Sequence, residues 1–298
     1  MPTPAPTAAV GRRSVASENR PRTERPALLA ALRACITSIE GKLPLLESDL
    51  PPAPAWGLGE ARIDRHLPDA GLGLAAVHEI TAGGYGDTPA AMGFAATLAL
   101  RRLLMPGQRG RPLLWARSRR GNAEWGKLYG HGLVALGLPR DRLLTVTLDK
   151  PDALLWTIEE AMRSKALAAV IADTDARAID LTVTRRLSLA AEAGATPLLL
   201  LFSHPVTGGT AALSRWQVKA FASSRPPFDG DAPGPPAWGL TLERCRGGRP
   251  GGQWLAEWHH ATHRFSLVAA LSGGKAESRP EAGRAFRPER SRPGLRAG

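Results

Sequence analysis

The stretch richest in possible chemistry runs Val77-His78-Glu79-Ile80-Thr81-Ala82-Gly83-Gly84-Tyr85-Gly86-Asp87-Thr88-Pro89, followed by the Ala-rich run from Ala90 to Leu100. It has the pattern of an apolar strand, a Gly-rich turn and an amphipathic helix, which is the layout of a phosphate-binding loop. In such a loop glycines turn backbone N–H groups toward a phosphate, and a Lys-Ser/Thr pair adds charge and a magnesium ligand. Here Ala82 holds the first glycine position and Asp87-Thr88-Pro89 stands in place of Gly-Lys-Ser/Thr. No Lys or Arg occurs from Thr81 to Leu100. A charge-assisted contact is worth about 1.5–3 kcal/mol, so the missing lysine matters, and Asp87 adds repulsion against a polyphosphate. Pro89 suits the first helical turn but removes an anion donor. Ala82, Gly83, Gly84, Tyr85, Gly86, Asp87 and Thr88 are therefore degenerate nucleotide-binding positions. The alternative is a plain Gly-rich turn with no ligand.

Other residues could bind rather than react. Arg244, Arg246 and Arg249 flank a Gly- and Pro-rich turn and could meet phosphates or an acidic partner; a soluble turn has the same composition. The Gly208-Gly209 segment carries no charge until Arg215, followed by Lys219. Such loops can order on a phosphate backbone, or be plain surface. His259 and His263 are one helical turn apart in number, with His260 between them, but Trp254–His260 reads as strand and no cysteine completes a tetrahedral set. No metal site and no cofactor is expected. Trp115, Trp125, Trp156 and Trp216 read as core or interface anchors, and Glu159 and Glu160 as a solvated helix face.

The elements that must position these residues alternate. After the strand at Val77 and its helix come strands at 111–116, 143–148, 168–173 and 197–202, the fourth ending in Asp173. Helices are expected at 122–136, 152–164 and 181–193. Continuous apolar strands alternating with helices imply a mostly parallel sheet covered on both faces. From Trp238 the pattern shifts to two strands, 238–244 and 253–258, with another from Phe265, an antiparallel extension. Residues 1–26 and 275–298 are Pro- and Arg-rich and read as disordered basic tails; 27–54 read as an amphipathic helix and a connector, and 55–274 as the core domain. Net charge is +12, with +3 in 1–26 and +4 in 275–298, so the body is only mildly basic. Two cysteines, Cys35 and Cys245, indicate a reducing compartment, and without a long apolar run or a secretory signal a cytoplasmic protein is expected.

Taken as a set, the degenerate loop, the strand ending at Asp173, and the strand at 197–202 followed by Gly208-Gly209 and a basic helix resemble the RecA core, over roughly Gly71 to Val268. More narrowly the chain resembles the ImuA family, RecA-like accessory proteins of a bacterial damage-induced mutagenesis cassette; SulA-type cell-division inhibitors share the broad fold. The resemblance implies an α/β P-loop NTPase-type core. It matches Asp173 to the acid that helps hold magnesium, Arg117 to the position of a water-activating glutamate, and Ser203-His204 to a γ-phosphate sensor. A guanidinium cannot act as a general base. Lysine, glutamate and sensor are all altered, so a non-enzymatic scaffold in SOS-induced translesion synthesis is expected. Its implied partners are an ImuB-type Y-family protein, RecA, indirectly an error-prone DnaE-type polymerase, and DNA as a further contact; no membrane is expected. Competing expectations are a DNA-stimulated ATPase using Lys127, Lys150 or Lys219, and a SulA-type division inhibitor.

Overall fold

A computed structural model describes residues 55–174, 176–224 and 232–268. Its innermost strands form where the sequence is mostly apolar, its outer ones where apolar and polar residues alternate. β1 (Ala55–Trp56) and β2 (Leu72–Gly73) make a small antiparallel pair. The main sheet contains β3 (Val77–Ala82), β4 (Leu113–Ser118), β5 (Leu143–Leu148), β6 (Ala169–Asp173), β7 (Leu198–Phe202), β8 (Ser214–Phe221), β9 (Ala237–Cys245), β10 (Gln253–His259) and β11 (Arg264–Leu267). Its order is β11-β10-β9-β8-β3-β7-β6-β4-β5. From β8 to β5 all neighbours are parallel; from β8 to β11 they are antiparallel. This is a mixed, mostly parallel α/β sheet with C-terminal antiparallel strands, compatible with a RecA-like core.

The helices are α1 (Ala61–Asp64), α2 (Thr88–Leu103), α3 (Arg119–Trp125), α4 (Gly130–Ala135), α5 (Pro151–Arg163) and α6 (Leu181–Gly194). Side chains alternate across a strand, so each parallel strand feeds two cores. Ile80, Trp115, Ile171, Leu199 and Leu201 pack with Phe94 and Leu98 of α2 on one face. Val77, Leu114, Ala116, Val170, Leu198 and Leu200 pack with α5 and α6 on the other. The antiparallel strands wrap the α2 core, where Phe94 meets Trp216, Trp238 and Phe265 at 5.6–6.0 Å between ring centroids. Among the described residues no helix is long and apolar enough to cross a membrane.

Several expectations are corrected. The segment after Leu213 is not a basic helix but β8: Trp216 and Val218 point inward while Gln217 and Lys219 point outward, a period of two. The helix expected at 122–136 is two short helices, broken at Gly126 (φ +74°). Glu159 is not solvated; it is 7% exposed and pairs with Arg186 on α6 and Arg163 on its own helix. Trp115 and Trp216 are core residues, whereas Trp156 is 66% exposed. The expectations for 1–26, 27–54 and 275–298, including Cys35, lie outside the described residues.

Candidate functional site

The Gly-rich turn joins the carboxyl end of β3 to the start of α2, and its donors can be followed one by one. Gly83 N–H donates to Val218 O (2.8 Å), continuing the β3–β8 ladder. Asp87 N–H donates to Gly84 O (3.0 Å), and Thr88 N–H to Tyr85 O. The Thr88 hydroxyl also donates to Tyr85 O (2.9 Å). Three of the turn's backbone amides, those of Gly83, Asp87 and Thr88, are thus taken by carbonyls of the protein rather than turned to a phosphate. Asp87 turns back to β8, where its Oδ1 accepts from Ala220 N–H at 2.9 Å. Lys219 lies flat across the turn: a Cβ built on Gly83 would stand 2.4 Å from its Cγ. This packing, rather than any unusual φ, makes Gly83 a glycine.

Beside the turn, at the carboxyl ends of β4, β6 and β7, is a polar cleft of about 110 Å³, bordered by Ser118, Gly121, Glu124, Asp173, Thr174 and Ser203 among others. Sites that enclose small organic ligands start at about 300 Å³, so the recess itself is smaller than such a pocket and is open to solvent. Tyr85 leans over it, 4.4 Å from the Trp125 ring and 5.8 Å from that of His204. A hydrogen bond to Glu124 holds the exposed Tyr85 phenol above its ordinary pKa.

On the cleft floor, Arg117 and Asp173 stand opposite one another on β4 and β6. Arg117 Nε and Nη2 both donate to Asp173 Oδ2 at 3.1 Å, Nη1 donates to Gly126 O at 2.7 Å, and Nη2 reaches Gly121 O at 3.4 Å. Both side chains are buried, at 3% and 9% exposure. Burial pushes the Asp173 carboxyl above its ordinary pKa, and the adjoining guanidinium offsets this only in part. A carboxylate that helps hold magnesium offers an oxygen to the ion or its water; here both guanidinium bonds fall on Oδ2. Of the parts a magnesium-polyphosphate site uses, the Gly83, Asp87 and Thr88 amides are engaged, Asp87 stands in the turn and Asp173 is paired, while Arg120 and Arg177 also border the cleft.

The remaining sequence candidates separate. Arg215 is corrected from a surface contact to a buried one, 7% exposed. Its Nε donates to Glu79 Oε2 (2.6 Å) and its Nη1 to Val206 O (2.9 Å), anchoring the loop that carries exposed Gly208 and Gly209. Lys219 belongs beside the Gly-rich turn, whereas Arg244, Arg246 and Arg249 lie at the opposite, amino end of the parallel strands, exposed. Lys150 follows β5, four strands from β3 and so about 19 Å away at ~4.8 Å per strand, beyond the reach of its side chain. His259 bonds Ser266 Oγ at 2.6 Å, while His263 packs on Trp258. Sequence reasoning missed Gly121, Glu124 and Trp125 as cleft residues. The Tyr85–Trp125 stack joins positions whose sequence separation carries no signal.

No protein-family model matches the chain. It is 37% identical over 248 residues to the protein called ImuA in each of two strains of Caulobacter vibrioides, NA1000 / CB15N and ATCC 19089 / CIP 103742 / CB 15. The match covers 79% of this chain and 97% of each relative. The chain belongs to the ImuA family.

Proposed function

We propose that this member of the ImuA family is a non-catalytic, RecA-like accessory protein of the ImuA/ImuB mutagenesis system, acting in SOS-induced, error-prone translesion synthesis. It associates with an ImuB-type Y-family protein and with RecA, reaches a DnaE-type polymerase indirectly, and turns over no nucleotide. The observation that supports this reading is the Arg117–Asp173 pair, which puts a permanent cation on the acid a RecA-like motor would use for its metal. The consumed amides at Gly83, Asp87 and Thr88 point the same way. The test is a magnesium-ATP titration on the purified chain, steady-state phosphate release with and without single-stranded DNA, and co-purification with RecA and ImuB. Retained partners without turnover are expected. Metal-dependent hydrolysis abolished by Asp173→Asn would overturn the reading.

One observation favours a second reading, a DNA-stimulated ATPase. Lys219 is brought against Gly83, so a lysine reaches the turn from β8 rather than from the turn itself. Under that reading Lys219→Ala abolishes phosphate release; under the first there is none to abolish.

A further inference from the structure

The turn between β9 and β10 holds its shape through backbone contacts on every side. Arg246 N–H donates to Leu213 O (2.8 Å), Gly251 N–H to Leu242 O (2.7 Å) and Arg249 N–H to His66 O (2.8 Å). In return His66 Nδ1 lies 3.0 Å from Arg249 O, a carbonyl, so this nitrogen carries the proton and donates. Gly248 is packed so closely that a Cβ would stand 2.4 Å from His66 O and 2.6 Å from Cys245 Sγ. Arg249 is thereby fixed next to Arg65, the residue that ends α1.

Four arginines, Arg65, Arg244, Arg246 and Arg249, are exposed in and beside this turn. Among the described residues none of the four is in an ion pair. The adjacent acid, Glu243, is the extra residue of a β-bulge on β9 and accepts from Gln217 Nε2 at 3.1 Å. The large apolar side chains exposed elsewhere, such as Trp156 and Phe221, have no counterpart in the turn. Protein interfaces draw their affinity from buried aromatic and aliphatic anchors, which this surface lacks. Phosphate recognition needs only fixed, unpaired guanidinium forks.

We infer that this hairpin turn binds the phosphate backbone of nucleic acid without reading the bases. The rigid turn lowers the ordering cost of binding. The site stands apart from the Gly-rich turn: Cys245 pairs with Ser214 at the start of β8, while Gly83 bonds Val218 further along it. It therefore does not depend on the proposed loss of nucleotide chemistry.

The experiment uses the full chain and its R244A/R246A/R249A variant, with fluorescence anisotropy of a labelled single strand and of the matching duplex across a sodium chloride series. The basic residues in 1–26 and 275–298 are common to both proteins and cancel in the difference. Each phosphate that is no longer neutralised lowers the slope of log K against log salt by about 0.7 on single strands and 0.9 on duplex. The slope of the variant is therefore expected to fall by about 2 on the first and about 3 on the second, and an arm that reaches its own expected fall identifies a form bound. A triple Arg→Lys variant keeps most of the slope, and coincident melting curves establish that all three proteins are folded. An unchanged slope, or no binding by the native chain, overturns the proposal. If a polyglutamate peptide then binds the native chain but not the triple-Ala variant, the surface is a dock for an acidic protein instead.

Discussion

Removing the cation from the Arg117–Asp173 pair gives a test in which size and pH dependence are both fixed in advance. In Arg117→Ala the bonds to Asp173 Oδ2, Gly126 O and Gly121 O all disappear. Asp173 stays behind, buried, with a carboxyl already above its ordinary pKa despite the guanidinium. Stripping one partner from a buried pair costs about 3–5 kcal/mol. Without Arg117 burial acts unopposed and the pKa climbs further. A carboxyl whose folded pKa exceeds its unfolded one contributes stability below the unfolded pKa, and that contribution is lost as pH rises through the folded value. The deficit is therefore largest at neutral pH and shrinks on acidification into the carboxylate range. Asp173→Asn behaves differently: it removes the titrating carboxyl and strands a guanidinium that cannot release its proton, so this site adds no pH dependence to that variant's own stability. Arg117→Met with Asp173→Leu removes both charges and recovers most of the stability. Urea midpoints across a pH series read all four proteins. A deficit below about 1 kcal/mol, the worth of an exposed pair, or one in Arg117→Ala that ignores pH, refutes the reasoning.

Three further outcomes are expected. His78 is fully buried, with Nε2 donating to Gly73 O and Nδ1 accepting from Ser214, and burial lowers its pKa from 6.5 to about 4. The folded state resists its protonation, so roughly 3 kcal/mol of stability is present above the unfolded pKa and lost as pH falls toward the folded one; denaturant midpoints show this slope, and His78→Gln flattens it. Arg215→Ala strands Glu79, which is 1% exposed, and frees the carbonyls of Val206 and Gly208. It should cost about 3–5 kcal/mol and speed amide exchange across 206–210, whereas unchanged exchange would show that the anchor is idle. Gly194→Ala places a Cβ 1.9 Å from Met162 O at the crossing of α5 and α6; backbone must move, and a destabilisation of about 1–3 kcal/mol is expected in thermal melts.

The parts legible in the sequence are those where one strand or helix settles the matter. Leu198–Phe202 is apolar throughout and can only be a doubly covered strand. The Gly-rich turn stands out because glycines, Asp87 and Pro89 fall between a strand and a helix. β8 was also legible, since Trp216 and Val218 alternate with Gln217 and Lys219; reading the segment as a basic helix gave weight to the cations and not to their period of two. What the sequence cannot carry is pairing. Arg215 looks like a surface cation until β8 is laid against β3, where it meets Glu79. Glu159 looks solvated until α6 brings Arg186 to it. Gly126, with positive φ, splits a run of helix-compatible residues in two, and its neighbours give no warning.

The two buried arginine–carboxylate pairs share a geometry that suggests why they persist. Glu79 and Arg215 are directly opposed on β3 and β8, and Arg117 and Asp173 directly opposed on β4 and β6. None of these strands is next in sequence to its partner, and each pair joins parallel neighbours. By alternation from the core residues, Glu79 faces the side covered by α5 and α6, whereas Arg117 and Asp173 face the side covered by α2 and α3. A slip of one residue would leave each of these four charges buried without a partner, at several kcal/mol per ion. Uninterrupted apolar strands such as Leu198–Phe202 specify register poorly, because both of their faces are alike. The ion pairs supply that specification, one on each face of the sheet. Arg117 therefore locks strand register through the same bonds by which it engages Asp173, and the sheet is held in register by its own side chains.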